Sequence, residues 1–251
     1  ASSILWQLRF PRALSALAVG GFLGIAGTLM QVLLRNPLGD PYILGVSGGA
    51  ASAALLSMLG GLSGIWITGS AALGALRSTV LVFTLSRRGD DWAPTRLLLT
   101  GVIVAAGWGA LISLLLSISP AARIPGMLFW LMGDLSYASL PAWSLLVLVV
   151  SFLLSLGLAR SLNVLAMGET TARLLGETTR QMLWLVYLLA SVLTATAVSI
   201  AGSVGFVGLI VPHLMRLLVG SDHRILIPTA TLFGGAFLVL SDTLARSVLA
   251  P

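Results

Sequence analysis

Residues 13–34 read ALSALAVGGFLGIAGTLMQVLL, with no charge among them and with Arg12 and Arg35 closing the two ends. As a helix this stretch is about 33 Å long, enough to cross a hydrocarbon core of ~30 Å. A helix also satisfies every backbone donor and acceptor within its own segment, as lipid requires. Gly20, Gly21, Gly24 and Gly27 fall inside it. Glycines there favour close backbone approach between neighbouring helices, and helix packing is the first explanation for most of the 28 glycines.

The rest of the chain repeats this pattern. Eight apolar stretches are expected to span: Ala13–Leu34, Ile43–Leu59, Ile65–Leu85, Leu97–Ile118, Leu140–Ala159, Met182–Ala201, Val204–Leu218 and Pro228–Leu249. The second and seventh are short and Gly-rich. Composition agrees, since 57% of the residues are apolar, only 9% are charged, and the mean hydropathy is +1.04. A soluble domain carries about 25% charged residues. The expected class is an all-α polytopic membrane protein, a single transmembrane domain over residues 1–251.

The cations are all Arg, fourteen of them with no Lys, and the chain has no Cys. Without Lys there is no Walker-A phosphate loop. Without Cys there is no disulfide, thiolate metal site or Cys nucleophile. The net charge of +6 does not point to nucleic acid, because the Arg residues sit at the ends of apolar runs. Alternating spans put Arg35, Arg87, Arg88, Arg96, Arg160, Arg173, Arg180, Arg216 and Arg224 on one side. Arg9, Arg12, Arg123 and Arg246 lie on the other. The Arg-rich side is expected to be cytoplasmic. Both chain ends then lie outside, so a span is expected before Ala1 and another after Pro251. Arg77 stands well inside the third span, where an Arg is costly unless paired or hydrated, and a structural pairing is expected.

Two segments break the helical pattern. Residues 35–50 read RNPLGDPYILGVSGGA, in which Pro37 and Pro41 stop the first helix and short polar residues suit a tight re-entry. Residues 202–216 read GSVGFVGLIVPHLMR, in which Pro212 predicts a kink or break. His213 follows directly and is expected to cap or pair near the inner interface. A metal role is disfavoured, since no second ligand lies at helical spacing. The glycines at 21, 24 and 27 recur at 202, 205 and 208. Both copies run outside to inside, whereas inverted repeats run oppositely, so the echo reads as coincidence.

These motifs carry a resemblance. Arg9-Phe10-Pro11-Arg12, the Arg35-Asn36-Pro37-Leu38 loop, Leu44 to Ala50 and Gly205 to His213 resemble the permease subunits of iron-siderophore, haem and vitamin B12 ABC importers. The resemblance runs the whole length in family order and covers spans two to nine of ten. It implies a multi-pass bacterial inner-membrane subunit, working as a homodimer and not itself an enzyme. ATP and Mg would sit on separate ATPase subunits, with no cofactor or metal on this chain. Other implied partners are membrane lipid and a periplasmic or lipid-anchored substrate-binding protein, whose acidic groups would meet Arg9, Arg12 and Arg246. Asn36, Pro37, Gly45, Ser47, Gly48, Gly205, Gly208, Pro212 and His213 are the expected pathway and packing positions.

The longest inner loop, residues 160–180, contains Glu169 and Arg173 at helical i,i+4 spacing, bracketed by Gly168 and Gly176. A two-turn helix presenting Met167, Leu174 and Leu175 beside charges suits docking into a partner's groove. In the resembling family this segment couples to the ATPase. Between spans four and five, Pro120, Pro125, Trp130 and Tyr137 suggest an outer interface with a short helix near Met127–Met132.

Two other functions compete. Gly45-Val46-Ser47-Gly48-Gly49 fits a nucleophile elbow and the Gly-x-Ser-Gly of rhomboid-type intramembrane proteases, which would need His213 or His223 beside Ser47. An ion-driven transporter would need embedded carboxylates, and only Asp242 comes close.

Overall fold

The computed structural model describes residues 5–86, 94–135 and 142–248. Arg87, Arg88 and Tyr137 lie outside the described residues. Among the described residues a π-helical turn at Leu5–Arg9 is followed by eleven α-helices: α1 Phe10–Leu33, α2 Val46–Leu59, α3 Ile65–Ser86, α4 Pro94–Ile118, α5 Ile124–Met132 and α6 Ala142–Gly157, then α7 Ala159–Ala166, α8 Glu169–Leu174, α9 Thr179–Ala201, α10 Val207–Val219 and α11 His223–Val248.

All eight expected spans coincide with helices, but the span count is corrected. Among the described residues five helices (α1, α3, α4, α9 and α11) are long and apolar enough to cross, or six if α6 and α7 form one span bent by 59°. Helices α2 and α10 have 14 and 13 residues. At 1.5 Å per residue they reach about 20 Å, short of a full crossing. Each follows a break. Before α2 lies a 3₁₀ turn, Pro41–Leu44, and a left-handed Gly45 (φ 67°). Before α10 lie Gly202 (φ 70°) and a left-handed Phe206 (φ 68°). The break therefore stands ahead of Pro212, within a helix that continues through it.

Helix α1 is the axle of the molecule, buried from Ser15 to Leu33 except at Leu17. In lipid an apolar helix gains little from leaving its solvent, so van der Waals packing must hold the bundle. Glycine makes that packing possible here: a Cβ on Gly20 would lie 2.1 Å from the Gly234 carbonyl oxygen, and one on Gly24 would lie 2.3 Å from that of Ala230. Hydroxyls inside the spans are satisfied locally, as when Thr28 donates to the Gly24 carbonyl (2.8 Å) and Thr194 to that of Ala190 (2.7 Å).

The helices also form an inverted repeat that the Gly echo does not describe. Long, broken, short and long elements recur as α1–α2–α3 and α9–α10–α11. Packing follows the exchange: α1 lies on α11 as α9 lies on α3, α2 on α3 as α10 on α11, and α10 on α1 as α2 on α9. Arg12 at the start of α1 and Arg246 at the end of α11 share Asp242, and the Asp134 beside Arg246 donates its N–H to Ala201 at the end of α9. So α1 and α9 run in opposite senses, the arrangement of transporter repeats.

Arg77 does not have the expected partner. It is exposed on α3 among Leu73, Leu76 and Val80, with no ion pair among the described residues.

Candidate functional site

The two broken segments are about 160 residues apart in the chain and meet inside the helical wall. Tyr42 accepts the backbone N–H of Val204 on its hydroxyl (3.3 Å, 162 residues away). A Cβ on Gly208 would lie 2.7 Å from the Pro41 ring. Gln31, buried on α1, donates to the carbonyl of Leu209 at 3.2 Å. Gly27 approaches closest, since its Cβ would fall 1.8 Å from the oxygen of Gly208. Pro212 has no N–H to offer that carbonyl from four residues on, so Gly208 can turn it toward Gly27. The echoing glycines 27 and 208 are thus contact partners. Irregular backbone at membrane depth is tolerated where it is buried in protein or lines a cavity.

Each break has its own local cause. Helix α1 ends in a Schellman turn: Asn36 N–H bonds Gln31 O (3.1 Å), Arg35 N–H bonds Val32 O (3.2 Å), and Arg35 takes the left-handed position (φ 49°). Asn36 then caps Leu38 N–H through its side chain (3.0 Å), ahead of Pro37's fixed bend, and Asp40 caps Tyr42 N–H (2.8 Å). The left-handed Gly45 is pinned by a relay, in which the Trp108 indole donates to Ser78 Oγ (2.8 Å) and Ser78 donates to the Gly45 carbonyl (2.8 Å). Gly48 lies under Trp108, where a Cβ would come within 2.7 Å of the side chain. Gly205 is exposed, with nothing within 4 Å of its Cβ position.

Ser47, the sequence-level candidate, has no hydrogen bond to either histidine among the described residues. Ser78, Trp108 and Tyr42 hold this region; Tyr42 falls within the broken segment 35–50, and no sequence motif marked Ser78 or Trp108. Ser47→Ala is expected to leave stability unchanged. Ser78→Ala strands the Trp108 indole N–H, while the Gly45 carbonyl keeps the Gly49 N–H (3.0 Å), and costs about 1–3 kcal/mol; melting in detergent distinguishes the two. Gly48→Leu is expected to lower folded yield by driving into Trp108.

His213 departs from expectation, for its Nδ1 is buried without a partner, so it neither caps nor pairs through that nitrogen. His223 is committed to Asn163, its Nδ1 lying 2.6 Å from Oδ1. A Ser–His pair is absent among the described residues, and no group of three His, Asp or Glu there is placed to hold a metal.

At the Arg-rich end, α7 and α8 form a hairpin. Gly168 (φ 113°) opens α8 and Gly176 (φ 83°) follows it, as their sequence positions implied. Met167, Leu174 and Leu175 stand out, Leu174 with 83% of its surface exposed. Glu169 bonds Arg173 at 2.5 Å and Arg35 at 3.2 Å. Ser161 donates to Glu177 (2.9 Å), and Asn163 donates to Asp222 (2.7 Å) while accepting from the His223 backbone (2.9 Å). The Arg224 N–H and the Asn163 amide hold the Asp222 carboxyl below its usual range.

At the opposite end three of the four expected outer cations, Arg12, Arg123 and Arg246, have partners within the chain. Arg12 grips Asp242 with two bonds of 2.6 and 2.7 Å, and Arg246 bridges Asp134 (2.9 Å) and Asp242 (3.3 Å). Arg123 caps the carbonyls of Met58 (3.0 Å) and Leu59 at the end of α2. Arg9 is exposed. Asp242 is thus a structural ion-pair partner at a helix end, with no sign of an embedded coupling carboxylate. Between α5, residues 203–205 and the end of α11 lies a cavity of about 390 Å³ with Asp134, Asp242 and Arg246 on its wall.

Comparison with known proteins agrees with this architecture. The hemin transport system permease protein HmuU of Yersinia pestis is 40% identical, over 98% of this chain and 76% of its own length. The molybdate import system permease protein MolB of Haemophilus influenzae is 39% identical, over 98% and 74%. The solved inward-facing structure of a metal-chelate type ABC transporter superposes with a TM-score of 0.91 at 36% identity, covering 98% of this chain and 80% of that one. The model of the FecCD transport family matches residues 1–251. The chain is therefore a multi-pass permease subunit of an ABC transport system and belongs to the FecCD transport family.

Proposed function

We propose that this permease imports a metal chelate across the bacterial inner membrane, as a homodimer with the pathway at its two-fold interface. The observation that carries the reading is the meeting of the two broken segments, 34–45 and 202–206, the first of them tied through Arg35 to a hairpin whose apolar residues face outward. Alternating access then comes from rigid-body rocking of the helices when the ATPase subunits close on that hairpin. ATP and Mg belong to those subunits, and this chain needs no cofactor. Asn36, Pro37, Gly45, Gly48 and Gly208 shape the inner part of the pathway wall.

Helix α4 supports the dimer. Beyond Arg96 it carries no charge, yet only Leu97, Gly101, Val104 and Leu115 are buried. Its open face carries Ala106, Gly107, Gly109, Ala110 and Ser113, the small residues that let membrane helices approach each other.

Arg9, Arg12 and Arg246 remain the docking candidates for a substrate-binding protein, and their environments separate their roles. Arg9→Glu is expected to slow association at low salt while leaving the fold intact, since rim charges steer encounter. Arg12→Glu faces Asp242 with a like charge and is expected to cost about 3 kcal/mol of stability. Stopped-flow association at two salt concentrations, beside a melting curve, checks both. Equal rates for the parent and Arg9→Glu would make Arg9 a lipid anchor.

The haem relative and the metal-chelate structure favour a chelate; the molybdate relative keeps a small oxyanion as the competing cargo. Uptake of labelled cobalamin, haem, ferric siderophore and molybdate into vesicles holding the whole transporter decides. Uptake of none of the chelates alongside transport of molybdate would overturn the chelate reading. Cleavage of a membrane substrate by the purified chain would overturn the transporter reading itself.

A further inference from the structure

Glu169 opens α8 yet turns its carboxylate inward, only 17% of its side chain being exposed. One oxygen takes Arg173 at 2.5 Å, and the other takes Arg35 at 3.2 Å. These two cations have different origins. Arg173 is on the same short helix, whereas Arg35 ends α1 and starts the broken segment 34–45, 134 residues away.

The backbone at Arg35 makes this contact more telling. Residue 35 occupies the left-handed position of a Schellman turn, with φ 49°, where glycine is the ordinary choice because a Cβ is strained there. An Arg here works against local preference, and what its side chain does is reach Glu169. The hairpin has a second tie at its other arm: Asn163 on α7 holds Asp222 (2.7 Å) and the His223 backbone N–H (2.9 Å) in the turn between α10 and α11. One hairpin therefore grips both halves of the inverted repeat, each near its short helix. Met167, Leu174 and Leu175 project from that hairpin without taking part in either grip.

We propose that Glu169 is a strut that passes displacement of the α7–α8 hairpin to segment 34–45, with Arg35 as its receiving end. Asn163 serves as the companion anchor to the α10–α11 turn. The inference rests on the reading that the hairpin docks the ATPase. Glu169 and Arg35 are positioning residues, and neither is required to touch the cargo.

The absence of Cys makes the test direct. Leu38, exposed and three residues beyond Arg35, is replaced as Leu38→Cys in the complete transporter with its ATPase and binding protein. The rate of alkylation by a charged maleimide is measured with and without ATP plus vanadate, at equal ATPase occupancy. The parent is expected to change rate several-fold on nucleotide trapping. Glu169→Gln and Arg35→Gly are each expected to lose most of that change. Arg35→Gly relieves a strained backbone, and a melting curve matching the parent's separates its loss of signal from a failure to fold. Reversing all three charges together (Arg35→Glu, Glu169→Arg, Arg173→Glu) is expected to restore the response. A parental response in either single variant overturns the strut. A parent that holds no ATPase at all overturns the docking reading, and the strut with it.

Discussion

Gly27→Ala is expected to abolish the folded permease, although it adds a single methyl group to a helix. The added carbon would sit 1.8 Å from the carbonyl oxygen of Gly208 and 2.6 Å from its carbon. Both neighbours are backbone, so no side chain can rotate away. Helix α10 would have to withdraw from α1, taking with it the contacts of Gly208 on Pro41, of Gln31 on Leu209 and of Tyr42 on Val204. Overpacking alone costs roughly 1–3 kcal/mol where side chains can give, and here the whole junction is lost as well. Gly157→Ala is the matched control: it also adds one methyl to a membrane helix, but nothing lies within 4 Å of its Cβ position. Monodisperse yield and melting temperature in detergent give the answer. A Gly27→Ala protein that melts with the parent would mean that α1 and α10 do not approach this closely.

Replacing Leu174 and Leu175 together by Asp is expected to strip the ATPase from a permease that remains folded. The two side chains are 83% and 63% exposed, so nothing inside this chain depends on them. Large apolar groups held out beside Glu169 and Arg173 on a six-residue helix suit insertion into a partner's groove. Two anchors of this kind are worth about 3 kcal/mol together, roughly a hundredfold in affinity. Co-purification of the ATPase and its stimulated hydrolysis are the readouts, with the permease melting curve as the control. Undiminished co-purification would remove the hairpin from the coupling path.

Much of the site was legible residue by residue. The glycines bracketing Glu169 to Leu174 marked a short helix, and Met167, Leu174 and Leu175 stood out as apolar residues in a polar loop. Pro37, Pro41 and the glycine-rich lead to Val207 marked the breaks. Partner choice could not be read in this way. Arg12 reads as an outer cation, and only the fold shows its charge spent on Asp242, 230 residues away. Arg35 likewise reads as an inner-loop charge until Glu169 is placed beside it. Ser47 drew notice through its glycines, while the serine holding the re-entry, Ser78, follows the conspicuous Arg77 in α3 and has no motif of its own. An ion pair or hydroxyl relay between distant segments leaves no local pattern, because either residue alone would suit an interface.

The sequence by itself determined that this chain is a helical membrane protein, where its helices lie, which ends carry the Arg residues, and to which family it belongs. Those properties follow from transfer of apolar length into lipid and from residues that stop a helix, and both act locally. Tertiary structure decided which apolar helices face protein. Helices α1 and α4 are alike in hydropathy, but α1 is the buried axle and α4 is mostly exposed. Water would have drawn that distinction through an amphipathic pattern. Lipid solvates an apolar face as well as another helix does, so in a membrane only close packing selects the neighbour, and close packing exists only once the chain has folded.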